Sequence, residues 1–309
     1  MDKPRLIILT GPTAVGKTDL SLKLATRINA EIISADSMQI YKYMDIGTAK
    51  IRPEEMKGIT HHLIDLLDPT DEWNVYCFTK AAKEAVSDIL SRNRIPLIVG
   101  GTGFYIQALL YDIAFCDAKT DHAYRNSLEE IARREGNEAL HEQLKEIDPD
   151  SYRDIHANNV KRVIRALEYY RQNHVPISVH NAAERQKESP YDFRYFVLTD
   201  DREKVYAQID ARVDKMMEEG LLAEVMKLRQ MGYQRDLISM QGLGYKELYA
   251  YLDGAYDLDE AIRIIKRDTR HFAKRQMTWF RREKDVIFLN KKDYAYNDEQ
   301  LLDQLLKYL

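Results

Sequence analysis

The fold of this chain is decided by the stretch Arg5-Leu6-Ile7-Ile8-Leu9-Thr10-Gly11-Pro12-Thr13-Ala14-Val15-Gly16-Lys17-Thr18. Residues 5–10 form an apolar run typical of a buried strand, and residues 11–18 match the pattern G-x-x-x-x-G-K followed by Ser or Thr. An amphipathic helix is predicted next by the apolar spacing in Asp19-Leu20-Ser21-Leu22-Lys23-Leu24-Ala25. A strand, a glycine-rich loop and a helix in this order predict a phosphate-binding loop (P-loop) that holds a diphosphate.

Each residue type in the loop has a physical role. Glycine at both ends lets the backbone turn tightly enough for successive N–H groups to point inward. Lys17 supplies a positive charge, and the hydroxyl of Thr18 is the predicted ligand of Mg²⁺, which is the expected cofactor. The predicted diphosphate-binding residues are Gly11, Pro12, Thr13, Ala14, Val15, Gly16, Lys17 and Thr18. The loop itself does not specify the reaction.

The later strand ends differ from those of most nucleoside triphosphatases. The strand Ile95-Pro96-Leu97-Ile98-Val99 runs into Gly100-Gly101-Thr102-Gly103, so glycine stands where an acidic Mg²⁺ ligand is usual. Another strand, Glu31-Ile32-Ile33-Ser34, leads into Ala35-Asp36-Ser37-Met38-Gln39. Ligands bind at the carboxyl ends of parallel strands, so Asp36 is expected to face the P-loop. The alternative is that Asp36 serves only as a cap or turn residue.

The order of predicted elements indicates an α/β protein with a doubly wound parallel sheet and an all-helical insertion domain. Strands near residues 5–10, 31–35 and 96–99 alternate with helices, whereas residues 119–187 contain no convincing strand. Short apolar runs at residues 193–198 and 286–289 predict two further strands that complete the sheet. The predicted catalytic core is therefore residues 1–116 with 192–309, and residues 117–191 are the predicted insertion.

Composition and charge narrow the class of protein. The chain has 309 residues, of which 45% are hydrophobic and 31% charged, as in an ordinary globular protein. The net charge of −4 argues against a protein that coats nucleic acid indiscriminately. The longest apolar runs are shorter than the roughly 20 residues that cross a bilayer. We therefore expect a cytoplasmic monomer without membrane contact.

Positive charge is concentrated in residues 263–284, which contain nine basic and two acidic side chains. At helical spacing, one face would carry Arg263, Arg267, Arg270, Lys274 and Arg281. Aromatic residues are interleaved with these charges, which favours a polyanionic partner such as RNA. A solvated charged face that binds nothing is the alternative interpretation.

Eight segments together carry a resemblance to a known family. They are Gly11-Pro12-Thr13-Ala14-Val15-Gly16-Lys17-Thr18, Asp36-Ser37-Met38-Gln39-Ile40-Tyr41, Gly47-Thr48-Ala49-Lys50, His61-His62-Leu63-Ile64-Asp65, Gly100-Gly101-Thr102-Gly103-Phe104-Tyr105, Lys161-Arg162-Val163-Ile164-Arg165-Ala166-Leu167-Glu168, Gly242-Leu243-Gly244-Tyr245-Lys246-Glu247 and Lys274-Arg275-Gln276-Met277-Thr278-Trp279-Phe280-Arg281. Over nearly the whole chain they closely resemble the bacterial tRNA isopentenyltransferases, or tRNA dimethylallyltransferases. This combination is far more specific than the P-loop.

The resemblance implies transfer of a dimethylallyl group from dimethylallyl diphosphate to the N6 amine of the adenosine 3′ of the anticodon, with release of diphosphate. It implies that Lys17, Thr18, Asp36 and Thr102 are catalytic, with Asp36 as the general base. The partner it implies is the tRNA anticodon stem-loop. The implied tRNA-binding residues are Asp36, Ser37, Met38, Gln39, Thr102, Arg125, Lys161, Arg162, Val163, Ile164, Arg165, Gln241, Gly242, Leu243, Gly244, Tyr245 and Lys246.

Other functions share some of these features. A prenyltransferase that acts on free adenine nucleotides would have the P-loop and Asp36, but it would not need a helical insertion or a basic helix. A small-molecule kinase is supported by the P-loop alone. An RNA-binding protein without catalytic activity would leave Lys17, Thr18 and Asp36 without a purpose.

Overall fold

The computed structural model describes residues 3–114, 121–184 and 186–309, and of His122 it describes the backbone only. The chain forms two compact units, one containing the residues up to Leu110 together with Pro190–Leu309, and the other spanning Tyr111–Ser189. The predicted boundary between residues 116 and 117 lies outside the described residues. The second unit ends at Ser189, whereas the boundary predicted from the sequence lies between residues 191 and 192.

The first unit is built on a six-stranded sheet in which every pairing is parallel. Its strands are β1 (Arg5–Thr10), β2 (Ala30–Ser34), β3 (His61–His62), β4 (Ile95–Gly100), β5 (Asp192–Thr199) and β6 (Val286–Asn290), in the spatial order β3-β2-β4-β1-β5-β6. The predicted α/β fold with a doubly wound parallel sheet is confirmed. The sequence analysis missed β3, because two residues are too short for a recognisable apolar pattern.

Helices of the first unit flank the sheet. They are α1 (Lys17–Ile28), α2 (Val75–Ser91), α3 (Gly103–Leu110), α10 (Arg202–Glu218), α11 (Leu221–Gln230), α12 (Tyr245–Leu252), α13 (Leu258–Phe280) and α14 (Asp298–Leu306). The main core packs Ile7 and Leu9 of β1 with Leu20 and Leu24 of α1 and with Leu302 of α14. Nearly every residue of β1 and β2 is buried, as expected when helices cover both faces of a parallel sheet.

The short strand β3 lies at one edge of the sheet. Its His62 Nε2 lies 2.7 Å from a carboxylate oxygen of Glu31, a fully buried residue of β2. The same carboxylate pairs with the guanidinium groups of Arg92 and Arg94. Burying a carboxylate is costly unless it is paired, so Glu31 needs these partners, and its contact with His62 helps to hold β3 against β2.

The second unit is helical in the residues that the structure describes. Its helices are α4 (His122–Glu135), α5 (Asn137–Glu142), α6 (Leu144–Ile147), α7 (Pro149–Asp154), α8 (Val160–Asn173) and α9 (Ile177–Glu184). Leu128, Leu140, Leu144 and Leu167 contribute to its own hydrophobic core. The buried Asp148 accepts hydrogen bonds from the Ser151 N–H and hydroxyl and from the Ser178 N–H, which caps α7 and joins it to α9. Nowhere in the described parts of the chain is a helix long and apolar enough to cross a membrane.

Candidate active site

The predicted P-loop connects the end of β1 to the start of α1. Gly16 occupies the N-cap position of α1 with φ of 95°, a left-handed conformation that favours glycine, and no side chain caps the first turn. At Gly11, a Cβ atom would lie 2.3 Å from the carbonyl oxygen of Leu198, so only glycine fits beside β5. The first-turn N–H groups of α1 are therefore left for an anion, which the helix dipole also favours.

Lys17 crosses the loop from the start of α1. Its Nζ donates hydrogen bonds to the carbonyl oxygens of Gly11 at 3.0 Å and Pro12 at 2.8 Å. Burial, and to a lesser extent the charge of Arg212, lower the pKa of Lys17 to about 7, although the charge of Asp36 opposes the shift. The ammonium group is therefore poorly stabilised by the protein alone, and a bound anion would stabilise it.

Arg212 of α10 is a site residue that the sequence analysis missed. Burial lowers the pKa of its guanidinium group, and its charge acts on Lys17. Lys17 and Arg212 therefore bring two partly desolvated cations to the P-loop, where the carboxylate of Asp36 acts on Lys17 and that of Asp19 acts on Arg212. Arg212 belongs to no motif in the sequence, so only the fold reveals it.

Asp36 is the second residue after β2. Its Oδ1 accepts hydrogen bonds from the N–H groups of Met38 at 2.9 Å and Gln39 at 3.4 Å. Burial raises the pKa of Asp36, whereas these two hydrogen bonds and the charge of Lys17 lower it. Both interpretations of Asp36 are therefore compatible with the structure, because the residue caps a turn and also interacts electrostatically with Lys17.

Thr102 follows β4 and begins the turn into α3. Its N–H donates a hydrogen bond to the carbonyl oxygen of Ala35 at 3.1 Å, and its own carbonyl accepts the Tyr105 N–H at 2.9 Å. A backbone hydrogen bond therefore joins Thr102 to Ala35, the residue before Asp36. The strand ends that the sequence analysis singled out lie side by side at the carboxyl edge of the sheet, as expected for ligand-binding positions.

The two tRNA-binding segments predicted in the first unit meet each other. A Cβ atom at Gly242 would lie 3.3 Å from Sδ of Met38, which places residues 241–246 against the turn after β2. Gln39 Nε2 donates to the carbonyl oxygens of Thr48 at 3.2 Å and Ala49 at 3.4 Å. Ser37 is half-buried, as are Leu243 and Lys246, whereas the side chain of Gln241 is exposed.

Tyr245 is fully buried, and its ring packs against the loop that contains Gly47. Its hydroxyl donates to Oε1 of Glu224 at 2.6 Å, and a Cβ atom at Gly47 would lie 2.5 Å from its ring. Glu224 of α11 accepts hydrogen bonds from three consecutive N–H groups, those of Asp45, Ile46 and Gly47, at 2.9, 2.8 and 3.2 Å. We call this arrangement the Glu224 clamp. Burial excludes the Tyr245 side chain from direct contact with a ligand in this conformation, and Glu224 was not singled out from the sequence.

In the second unit, α8 carries the predicted segment 161–165. Lys161, Arg162 and Arg165 are exposed, whereas Val163 and Ile164 lie in the core of this unit. Side-chain contacts of this segment with RNA can therefore come from its three cations only. Arg125 of α4 donates two hydrogen bonds, of 2.9 and 2.7 Å, to the buried carboxylate of Glu168, which fixes the direction of its guanidinium group.

The basic stretch forms the last part of α13 and the residues after it. Four of its cations are paired with carboxylates: Arg263 with Glu260, Lys266 with Asp214, Arg267 with Asp268, and Arg270 with Asp210. The exposed side chains of Lys274, Arg275, Arg281, Arg282 and Lys284 form no ion pair among the described residues. The charge available to a polyanion is therefore concentrated at residues 274–284.

The fold and the loop define a P-loop α/β protein with a helical second unit. A family model described as IPP transferase matches residues 39–283, and one described as Isopentenyl transferase matches residues 4–69. The tRNA dimethylallyltransferase of Lachnoclostridium phytofermentans is 58% identical over 98% of this chain and 97% of its own length. That of Acetivibrio thermocellus is 51% identical over the same shares.

Solved structures agree with these relatives. The full-length tRNA isopentenylpyrophosphate transferase of Bacillus halodurans is 42% identical, with a TM-score of 0.73 over 99% of this chain and 96% of that one. A eukaryotic dimethylallyltransferase acting on tRNA is 29% identical, with a TM-score of 0.78 over 94% of this chain and 75% of that one. The chain belongs to the IPP transferase family, and the family resemblance seen in the sequence is confirmed.

Proposed function

We propose that this protein transfers a dimethylallyl group from dimethylallyl diphosphate to the N6 amine of the adenosine 3′ of the anticodon in tRNA. The observation that carries the proposal is that the P-loop after β1, suited to a diphosphate, and the turn with Asp36 after β2, suited to an acceptor, lie at the same carboxyl edge of the sheet. Its relatives are tRNA dimethylallyltransferases. A cytoplasmic location follows from a tRNA substrate.

The donor site is formed by residues 11–18. The first-turn N–H groups of α1 and the side chains of Lys17 and Arg212 bind the diphosphate, and their charge stabilises it as it leaves. The exposed hydroxyl of Thr18 would hold Mg²⁺ together with diphosphate oxygens, and the ion would supply further positive charge when bound. A hydroxyl oxygen is a ligand type that suits Mg²⁺, and Thr18 offers it in the first turn of α1, next to the loop that would hold the diphosphate.

The chemical step is a displacement at the allylic carbon. The N6 amine forms the new C–N bond, the C–O bond to diphosphate breaks, and the electron pair leaves with the diphosphate. A neutral amine is too weak an acid to lose a proton beforehand, but it becomes strongly acidic as the C–N bond forms. Asp36 then accepts the proton, which its raised pKa favours.

The acceptor base has to leave the anticodon loop before it can react. Extruding a stacked base costs a few kcal/mol, which contacts with the RNA backbone must offset. The exposed cations at residues 274–284 in the first unit and Lys161, Arg162 and Arg165 in the second unit supply such contacts. The side chain of Thr102 and the turn at residues 36–39 would then contact the adenine.

The test is transfer of label. The purified protein is incubated with Mg²⁺, unmodified tRNA and dimethylallyl diphosphate labelled in the allyl group, with adenosine monophosphate as a parallel acceptor. Label on the adenosine 3′ of the anticodon supports the proposal. Label on the mononucleotide alone would replace tRNA with free nucleotides as the acceptor. In a separate assay with ATP and without tRNA, consumption of ATP would favour a kinase.

A further inference from the structure

Gln276 lies on the buried side of α13 and uses both ends of its amide. It is 6% exposed. Its Oε1 accepts a hydrogen bond from the N–H of Thr13 at 2.9 Å, and its Nε2 donates one to the carbonyl oxygen of Gly101 at 2.9 Å. One partner is only a donor and the other only an acceptor, so the orientation of the amide is fixed. A single side chain thus connects the P-loop to the turn after β4.

The turn that Gln276 reaches is packed too closely to accept a side chain at either of its first two glycines. A Cβ atom at Gly101 would lie 2.2 Å from Nε2 of Gln276, and one at Gly100 would lie 2.3 Å from the carbonyl oxygen of Ala35. The next residue, Thr102, donates its N–H to that same oxygen. Hydrogen bonds and close packing therefore run without interruption from the donor loop, through Gln276, to the residue before the proposed base.

We propose that Gln276 is a positioning residue that sets the distance between the diphosphate loop and the acceptor turn. The inference rests on the proposed function, because it concerns the alignment of that donor with that acceptor. Gln276 touches no reacting atom in this arrangement. A misplacement of about 1 Å between reacting groups can cost on the order of 100-fold in rate. Loss of the bridge should therefore lower kcat more than it raises the KM of either substrate.

Two substitutions of similar size separate the hydrogen bonds from packing. Gln276→Met removes both hydrogen bonds, and we expect single-turnover transfer to tRNA to fall about 30-fold to 100-fold, with both KM values within about twofold of wild type. Gln276→Glu keeps an acceptor for Thr13, but as a carboxylate it faces the Gly101 carbonyl without a proton to donate. When protonated, it restores both hydrogen bonds.

The positioning role therefore predicts a pH dependence for Gln276→Glu that a role of Gln276 in packing alone does not predict. The ratio of its rate to the wild-type rate should rise as the pH falls, by up to tenfold per pH unit above the pKa of the introduced carboxyl. A matched control is Gln230→Glu, which makes the same change at the exposed last residue of α11 and leaves both loops untouched. This variant should retain the wild-type pH dependence.

The outcomes are distinguishable. A wild-type protein that transfers no label to tRNA contradicts the proposed function. With transfer established in wild type, a normal kcat for a folded Gln276→Met variant would overturn the positioning role. A pH-independent ratio for Gln276→Glu would overturn it as well, whatever the stability of the methionine variant.

Discussion

Two backbone segments of the first unit offer N–H groups to an anion, and they are used in opposite ways. In the Glu224 clamp, three consecutive N–H groups donate hydrogen bonds to a carboxylate of the protein itself. In the P-loop, no side chain caps the first turn of α1, and Lys17 and Arg212 bring positive charge instead. A group of backbone N–H donors is thus filled by a carboxylate of the protein in one place. In the other place it is left for a ligand, because the chain supplies cations there and no side chain that caps the turn.

The largest effect should come from removing the P-loop cation. Lys17→Met takes away the charge that stabilises the leaving diphosphate, and we expect kcat/KM for dimethylallyl diphosphate to fall about 10²-fold to 10³-fold. Steady-state transfer at varied donor concentration measures this change, with thermal unfolding as the control for folding. Wild-type kinetics in this variant would mean that the loop does not hold the diphosphate.

The pH dependence of donor binding should follow from the same residue. Free Lys17 is mostly neutral above pH 7, since its pKa is lowered to about 7, whereas the charge of a bound diphosphate raises that pKa. Binding then takes up a proton above pH 7, and the affinity falls by up to tenfold per pH unit as the pH rises, whereas below pH 7 this contribution is constant.

The comparison that isolates Lys17 is with Lys17→Arg, whose guanidinium remains charged. Calorimetric titration of a non-hydrolysable donor analogue between pH 6 and 9 should show a steeper loss of affinity for wild type than for this variant. Ionisation of the diphosphate itself contributes equally to both proteins. Parallel curves would contradict the lowered pKa.

Breaking the clamp should have a smaller effect, and on the other substrate. In Glu224→Gln, an amide NH₂ replaces one oxygen and faces N–H or O–H donors, which costs about 1–3 kcal/mol of folding stability. We expect the KM for tRNA to rise several-fold while the KM for the donor stays unchanged. Kinetics with each substrate varied in turn, together with denaturant unfolding, measure both effects.

Two variants calibrate this result. Glu203→Gln changes an exposed glutamate of α10 and should alter neither quantity. Tyr245→Phe removes one of the four donors to Glu224 and should give the same pattern with a smaller amplitude. If only the KM for the donor increased, the clamp would support donor binding, and the predicted link to tRNA would be wrong.

The smallest effect should distinguish paired from unpaired cations on α13. Lys274→Ala removes an exposed charge, and the log–log salt dependence of tRNA binding should become shallower by about 0.7, the value for one contact with a single strand. Arg263→Ala, which breaks a surface pair with Glu260, should change the slope less. Equal slopes in wild type and both variants would indicate a basic face that is only solvated.

Much of the fold and the centre of the site could be predicted from the sequence, because the signals are local. The P-loop is a contiguous motif, the strands are contiguous apolar runs, and the helices of the second unit have a clear apolar period. Asp36 and Thr102 could be singled out because each lies within two residues of the end of a strand. Val163 and Ile164 were predicted to bind tRNA because they belong to a motif, but the helical period places both side chains in the core of the second unit.

The residues that support the site could not be found in this way. Glu224 is separated by 178 positions from Ile46, whose N–H it accepts, and Gln276 by 263 positions from Thr13. On their own helices they are ordinary polar residues, and only the packing of α11 and α13 onto the loops gives them partners. The pairing of Arg270 with Asp210 of α10 likewise depends on the tertiary fold, so the sequence overstates the free charge on α13.

The short edge strand β3 affects how readily two copies of this chain can associate by adding a strand to the sheet. A sheet edge recruits other strands through its row of unpaired N–H and C=O groups. Here that edge is two residues long, and His62 is held by the buried Glu31. A second chain would find too little backbone on β3 to add a strand, so the sheet is not easily extended at this edge.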